Sequence, residues 1–508
     1  MRTLALLAAL SVAAVGATLL PGTQPGGATP LQGIAAISTD GGHACALTDG
    51  GGVKCWGNGE YGELGDGTND DGDPAVGGNR RRFPVDVVGL GTGVAAVSAG
   101  FDHTCAVTVG GGVKCWGHNH VGQIGVQGVF CPDHFGGQFP CSNVPVDVPG
   151  LGEVITAIAT GNGHTCALTV AGGAVCWGKN RLGQLGNGTT IGGSAPVEVC
   201  QVYDSIAERC TELLTGIAAL AAGGETTCAL IADGGVKCWG GVTGDGTNTR
   251  SSLPVDVTGL DRPVVAVDVG ETHGCAVLES GRVRCWGSNF NGELGDGTAN
   301  NSSAPVEVCE VYDRTDQRCR QPLLGIVGVA TAEGHTCAVE EVGGVTCWGL
   351  NAFGDLGDGR LLRRGLFLEP DEKRMEKLSR QPPGPVAFLE NAVSVKAREE
   401  RTCALTAEGG VKCWGMAVGG ACDALSCPVP ADVVTELAGK ARGDVNLDGR
   451  VTGFDALFIL QSEAHLLEFS LPSSRNANAD GDDDVDAADA TLILQNIAGL
   501  LAVLEDLG

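Results

Sequence analysis

Residues 273–298 read HGCAVLESGRVRCWGSNFNGELGDGT. Two short apolar runs flank a turn at Glu279-Ser280-Gly281, and a glycine-rich connection follows them. Upstream, VVAVDVG (264–270) is another β-branched run. Downstream, APVEV (304–308) is an extended run with proline at its edge. The unit therefore predicts four short strands and carries little helix signal.

The same unit recurs along the chain. CWG occurs seven times, at Cys55, Cys115, Cys176, Cys238, Cys285, Cys347 and Cys413, and takes up all 7 tryptophans. Ten residues before each lies another cysteine: Cys45, Cys105, Cys166, Cys228, Cys275, Cys337 and Cys403. These first cysteines are 60, 61, 62, 47, 62 and 66 residues apart, so the shortest spacing shows the bare unit and the longer ones hold insertions. Four strands repeated seven times predict a mainly β fold, a seven-bladed β-propeller. One blade cannot cover both its faces; stacking blades in a ring does so and leaves few open sheet edges. Composition agrees. Glycine supplies 83 of 508 residues without a collagen-like period, and aromatics are only 4%.

In CALTDGGGVKC (45–55) the turn is centred on Gly50, so the two cysteines oppose each other. Opposed Cα atoms lie about 4.5–5.5 Å apart in an antiparallel ladder, and a disulfide accepts about 4.4–6.8 Å. Seven cross-strand disulfides are expected. The competing reading is metal binding, but zinc sites space their cysteines by about two to four residues. The other eight of the 22 cysteines also pair locally, as Cys131/Cys141, Cys200/Cys210, Cys309/Cys319 and Cys422/Cys427. SAPVEVCQVYDSIAERC (194–210) nearly duplicates SAPVEVCEVYDRTDQRC (303–319). Such pinned loops either present a binding surface or shield long connections from proteolysis.

The motif HTCALT…GGVKCWG, followed by GQLG (183–186) or GELGDGT (62–68 and 292–298), resembles the repeat of the regulator of chromosome condensation family. The resemblance covers residues 33–436 and implies a propeller used as a protein-interaction surface. The founder's guanine-nucleotide exchange is a less fitting analogy for an acidic, cysteine-rich chain. A histidine stands two residues before the first cysteine in five repeats (His43, His103, His164, His273, His335), replaced by Thr226 and Arg401 in the others. These histidines read as a repeated structural hydrogen bond, against a metal ring or base, and the tryptophans as blade packing, against a sugar platform. A charged insertion fills 360–385 in the sixth repeat.

So many cysteines point to an oxidising compartment. Arg2, the apolar run from Leu4 to Leu20 and then Pro21 read as a signal peptide and N-terminal linker over 1–28, against a membrane span. The expectation is a chain that is secreted, free or held at a cell surface, monomeric and with no membrane span once mature. A net charge of −28 disfavours nucleic acid and anionic membranes as partners.

After a linker at 437–442 the composition changes. Residues 443–508 hold 13 acidic and 2 basic side chains. DVNLDGRVTGFD fits a calcium loop, with Asp444, Asn446 and Asp448 as ligands 1, 3 and 5, the Arg450 carbonyl at 7, Thr452 at 9 and Asp455 at 12. NADGDDDVDAAD repeats it with Asn478, Asp480, Asp482, Asp484, Asp486 and Asp489, although Asp483 stands where glycine belongs. Each loop runs into a matching helix start, DALFILQ or DATLILQ. Two Ca²⁺ ions are the expected cofactors. The segment resembles a type I dockerin, which implies a small α-helical module that plugs into a cohesin-like or other surface partner. The positions that usually choose a dockerin's partner are Gly453-Phe454 and Ala487-Ala488 here, a departure that weakens the case for a standard cohesin.

No HExxH, GxSxG or P-loop occurs, no acid pair can be nominated, and catalytic residues are expected to be none. GNGEYG (57–62) matches GxGxxG without a following helix and is discounted. The expected function is a secreted, non-enzymatic protein-binding propeller docked through its calcium module to an extracellular partner. The alternative is a carbohydrate-active enzyme or accessory protein in extracellular polysaccharide catabolism.

Overall fold

A computed structural model describes residues 29–69, 80–132, 137–313, 315–359, 379–416 and 426–435. The signal peptide, the linker at 437–442, both calcium loops and Cys422 lie outside the described residues, as do 360–378 of the charged insertion. Its remaining residues, Ser379–Pro385, form a blade strand.

Among the described residues there are strands and no helix. They build seven antiparallel blade sheets, each pairing four strands in chain order. Blade one runs over 34–86, two over 94–147, three over 155–198, four over 217–256, five over 264–307, six over 326–385 and seven over 392–432. Blade two gains a fifth strand, Phe130–Pro132, on its outer edge. The duplicated insertions form separate hairpins, Cys200–Asp204 with Arg209–Leu213 and Cys309–Asp313 with Arg318–Pro322.

All seven central hairpins share one register, which sets Cys45 opposite Cys55 and Ala44 opposite Trp56 in blade one. Each of the seven repeated cysteine pairs is bonded, with Cα atoms 4.1 Å apart. That is slightly closer than expected and matches the close, non-hydrogen-bonded type of strand pair. Cys131–Cys141, Cys200–Cys210 and Cys309–Cys319 are bonded too.

The expected Cys422–Cys427 bridge is the one local pair that the described residues do not show. Cys427 is itself disulfide-bonded, but the residue expected to receive it, Cys422, lies outside them. Cys427 itself belongs to the propeller. It stands in the last strand of blade seven, Ser426–Asp432, opposite Gly415. There it is 4% exposed and packs in the cluster around Trp414 between blades six and seven. Its physical role is thus in an inter-blade core, because the outer strand of the blade begins one residue before it.

The CWG string is explained by this geometry. Its cysteine closes the hairpin, while its tryptophan is fully buried between blades. Its glycine has positive φ where the ladder to the fourth strand shifts register (Gly57, φ +103°), and a Cβ there would lie 2.5 Å from the Gly42 carbonyl. The core is seven inter-blade clusters rather than one centre. In one, Trp348 of blade six packs on Cys275, Cys285 and Leu294 of blade five. Burial on this scale makes removal of any such indole cost about 3–5 kcal/mol.

A second repeated bond joins the blades. The hairpin-turn glycine of each blade accepts the first-strand N–H of the next, as Gly51 does from Val94 (2.9 Å) and Gly234 from Val264 (3.0 Å). Gly409 of blade seven accepts from Ile34 of blade one (3.2 Å), so the ring closes by the bond used at the other junctions. Residues 29–31 reinforce the closure. Leu31 N–H donates to the Val433 carbonyl (2.7 Å), and Thr435 N–H to that of Thr29 (2.9 Å). Residues 29–31 thus join the closing junction although they precede the repeat pattern.

Candidate docking face

The turns between strands one and two and the loops between strands three and four emerge at one end of the ring. Side-chain contacts join the two sets, Asp102 to His118 (3.6 Å) in blade two and, as an ion pair, Glu225 of blade four to Lys179 of blade three. The disulfide hairpin tips lie at the other end.

A repeated clasp holds this face. His43 Nε2 meets Thr104 Oγ1 of the next blade at 2.7 Å, and His103–Thr165, His164–Thr227, His273–Thr336 and His335–Thr402 repeat the contact at 2.8–2.9 Å. Thr104 Oγ1 donates its proton to the Glu63 carbonyl (2.9 Å), which also accepts from Trp116 Nε1 (2.7 Å). The hydroxyl proton being spent, the histidine must donate through Nε2–H. Burial drives these imidazoles down to about 3, so they stay neutral. The repeated histidines and tryptophans are therefore structural, as their recurrence implied.

Two junctions depart from the clasp. Between blades four and five, Thr226 replaces the histidine and turns to its own blade, accepting from Val242 N–H (2.9 Å), while Gly274 replaces the receiving threonine. Trp286 Nε1 reaches only the Val242 carbonyl, at 3.5 Å. Between blades seven and one, Arg401 replaces the histidine and donates to the Gly41 carbonyl (2.8 Å), with Ala44 in the threonine's place.

Over this constant frame the outward side chains differ from blade to blade. Equivalent loop positions hold Glu60, His120, Arg181, Phe290 and Ala352. Tyr61 stacks on His118 (4.4 Å between centroids), which stacks on His120 (4.2 Å), with Phe139 edge-on to Tyr61. Burial and His118 lower the His120 pKa. Across the ring the turns carry carboxylates. Burial lifts Glu399 to about 7 against the pull of Arg401, with Asp40, Glu271 and Glu400 adding to the rise. Burial, then Glu271, raises Glu333. The face is aromatic and imidazole-bearing at blades one and two, and acidic at blades five to seven.

Inside the ring the first strands enclose a channel cavity of about 170 Å³. The position that ends the first strand is glycine in four blades (Gly100, Gly161, Gly223, Gly270), Ala332 in the sixth, Asp40 in the first and Arg398 in the seventh. Arg398 Nη1 donates to the Val269 and Thr331 carbonyls (2.6 and 3.3 Å) and Nη2 to that of Ala222 (2.7 Å), while Nε lies 3.6 Å from Asp40 Oδ2. Burial raises Asp40 to about 6 against the lowering by Arg398. The cysteine pattern carries no signal for this residue. Aligning the strand ends shows it, as the one cation at a position of small residues.

Models of the regulator of chromosome condensation (RCC1) repeat match residues 34–63, 94–123, 155–184 and 264–293, and also 51–107 and 280–339. The chain carries RCC1 repeats. It is 28% identical over 402 residues to the ultraviolet-B receptor UVR8 of Arabidopsis thaliana, covering 77% of this chain and 79% of that one. It is 29% identical over 309 residues to the human E3 ubiquitin-protein ligase HERC2, covering 60% of this chain but only 6% of that one. Two solved structures share the fold. Human WBSCR16 has a TM-score of 0.56 at 22% identity, over 74% of this chain and 87% of that one. Yeast RCC1 (Prp20) bound to Kap60 has 0.58 at 19%, over 84% and 91%. Across the repeats of this chain the CWG string and the junction glycines are constant, the clasp recurs at five of the seven junctions, and the exposed loop positions hold unlike side chains.

Proposed function

We propose that this chain is a non-enzymatic protein-binding scaffold that works outside the reducing cytosol. The observation that carries the reading is the turn-and-loop face. One hydrogen-bonded frame, repeated blade by blade, presents a different outward residue at each position, which is how a rigid ring specifies a partner rather than a small substrate. RCC1-type propellers that it resembles are found bound to proteins, as yeast RCC1 is to Kap60. Ten bonded cysteine pairs among the described residues support an oxidising compartment. The two acidic loops at 444–455 and 478–489 support a Ca²⁺-dependent C-terminal attachment to a cohesin-like or other surface partner. The partner expected at the face presents basic groups toward blades five to seven and an aromatic or cationic group toward Tyr61 and His120.

The test places a photo-crosslinking residue at Arg181 or Phe290 on this face, and at Val109 or Val170 on the opposite hairpin tips, in full-length chain incubated with native extracellular medium. Capture of one defined partner from the first two positions, and not from the others, supports the reading. Capture from the hairpin tips alone, or turnover of glycans by the purified chain, overturns it.

A further inference from the structure

Inter-blade bonding in this ring is almost entirely between neighbours, so each junction must hold by itself. Five junctions have a histidine–threonine clasp. The junction of blades four and five has none, and its tryptophan bond is the longest of the set. The junction of blades seven and one has an arginine–carbonyl bond in its place. Arg398 touches both of these junctions at once. Its Nη2 holds Ala222 of blade four while its Nη1 holds Val269 of blade five. From its own blade seven it also approaches Asp40 of blade one.

We infer that Arg398 is a cross-channel staple that replaces the missing clasp between blades four and five and reinforces the closing junction between blades seven and one.

The chemistry suits the task. The first strands are sheet edges facing the channel, and their carbonyls there lack ladder partners. A guanidinium offers five N–H donors in one planar fork, enough to bond carbonyls of several strands, and no other side chain does. The small residues around it leave the room it needs. A Cβ on Gly223 would lie 2.4 Å from Nη1 and 1.9 Å from the Val269 carbonyl oxygen. Asp40 is the one acid at the equivalent strand end, and it sits in the blade adjoining Arg398's own across the closing junction.

The staple is read by amide hydrogen exchange on the full-length, oxidised chain. In Arg398→Ala, exchange in Ile217–Gly223, Val264–Val269 and Ile34–Asp40 should quicken by about tenfold or more, the loss of one to two net hydrogen bonds. Ile155–Thr160, whose two junctions keep their clasps, should not change. Arg398→Lys separates fork from charge. It retains the cation but cannot span the carbonyls, so it should loosen blades four and five as the alanine variant does. Asp40→Asn should loosen Ile34–Asp40 alone. If alanine does not fold, the lysine and asparagine variants carry the same comparison. Uniform quickening around the ring, no quickening, or full protection in the lysine variant would each overturn the inference.

Discussion

Glu63 offers a test of how the frame beneath the docking face is built. It is 1% exposed, and burial lifts its carboxyl to about 8, helped by Asp102 and Glu60 and opposed by its own N–H and that of Tyr61. Its Oε2 accepts the Tyr61 N–H at 2.8 Å. Blades two and three do the same work with glutamine, since Gln123 Oε1 accepts from Val121 (3.1 Å) and Gln184 Oε1 from Leu182 (2.9 Å). Glu63→Gln should therefore preserve the bond and remove a proton linkage. The folded carboxyl titrates above its ordinary value of 4.5, so its stabilisation is full below 4.5 and is lost as pH rises through about 8. At about 1.4 kcal/mol per pH unit above 4.5, the wild-type cost at pH 7 is about 3 kcal/mol as an upper bound, and near pH 4 it vanishes. With about 2 cal/mol/K of unfolding entropy per residue over about 400 residues, the variant's melting midpoint should rise by about 4 °C at pH 7 and hardly at all at pH 4. Paired thermal scans of oxidised wild type and variant from about pH 4 to 8.5 measure this. A shift independent of pH, or a lower midpoint at pH 7, would show that the carboxylate is ionised and held by something other than the glutamine-like bond.

The five clasp histidines act with the opposite sign. Their folded pKa near 3 lies below the ordinary 6.5, so their contribution is full above 6.5 and drains away as pH falls toward 3. His164→Gln should flatten that acid limb by one proton, seen as a shallower fall of the melting midpoint between about pH 6 and 4. Gly234 has φ +81°, and a Cβ there would lie 2.7 Å from Pro263 Cα, so Gly234→Ala should destabilise by at least about 2 kcal/mol in denaturant titrations. Ca²⁺ added to the full chain should protect residues 443–508 from proteolysis, EDTA should reverse it, and Asp448→Ala should raise the required Ca²⁺ at least about tenfold.

Blade number, strand count and the cysteine partners at spacing ten were legible in the residues because each is a local matter. A hairpin's register follows from its turn and its alternation, and a disulfide across it needs only that register. The recurrence of His43, His103, His164, His273 and His335 marked them as frame rather than chemistry for the same reason. Cys427 shows where local reading stops. Its spacing from Cys422 suggested a local bridge whose other half lies outside the described residues, while its place beside Trp414 in an inter-blade core came only from the packing of blades six and seven. The sequence alone thus specified the blade. Only the tertiary structure decided how blades hold one another. The Thr104 hydroxyl that receives His43 lies 61 residues away. The replacement of Thr226 and Gly274 as a pair has meaning only once they face across a junction. Arg398 bonds backbone carbonyls 67, 129 and 176 residues distant. Carbonyls carry no side-chain signature, so nothing in the residue string marks them as its partners. Their convergence on one guanidinium is a property of the closed ring.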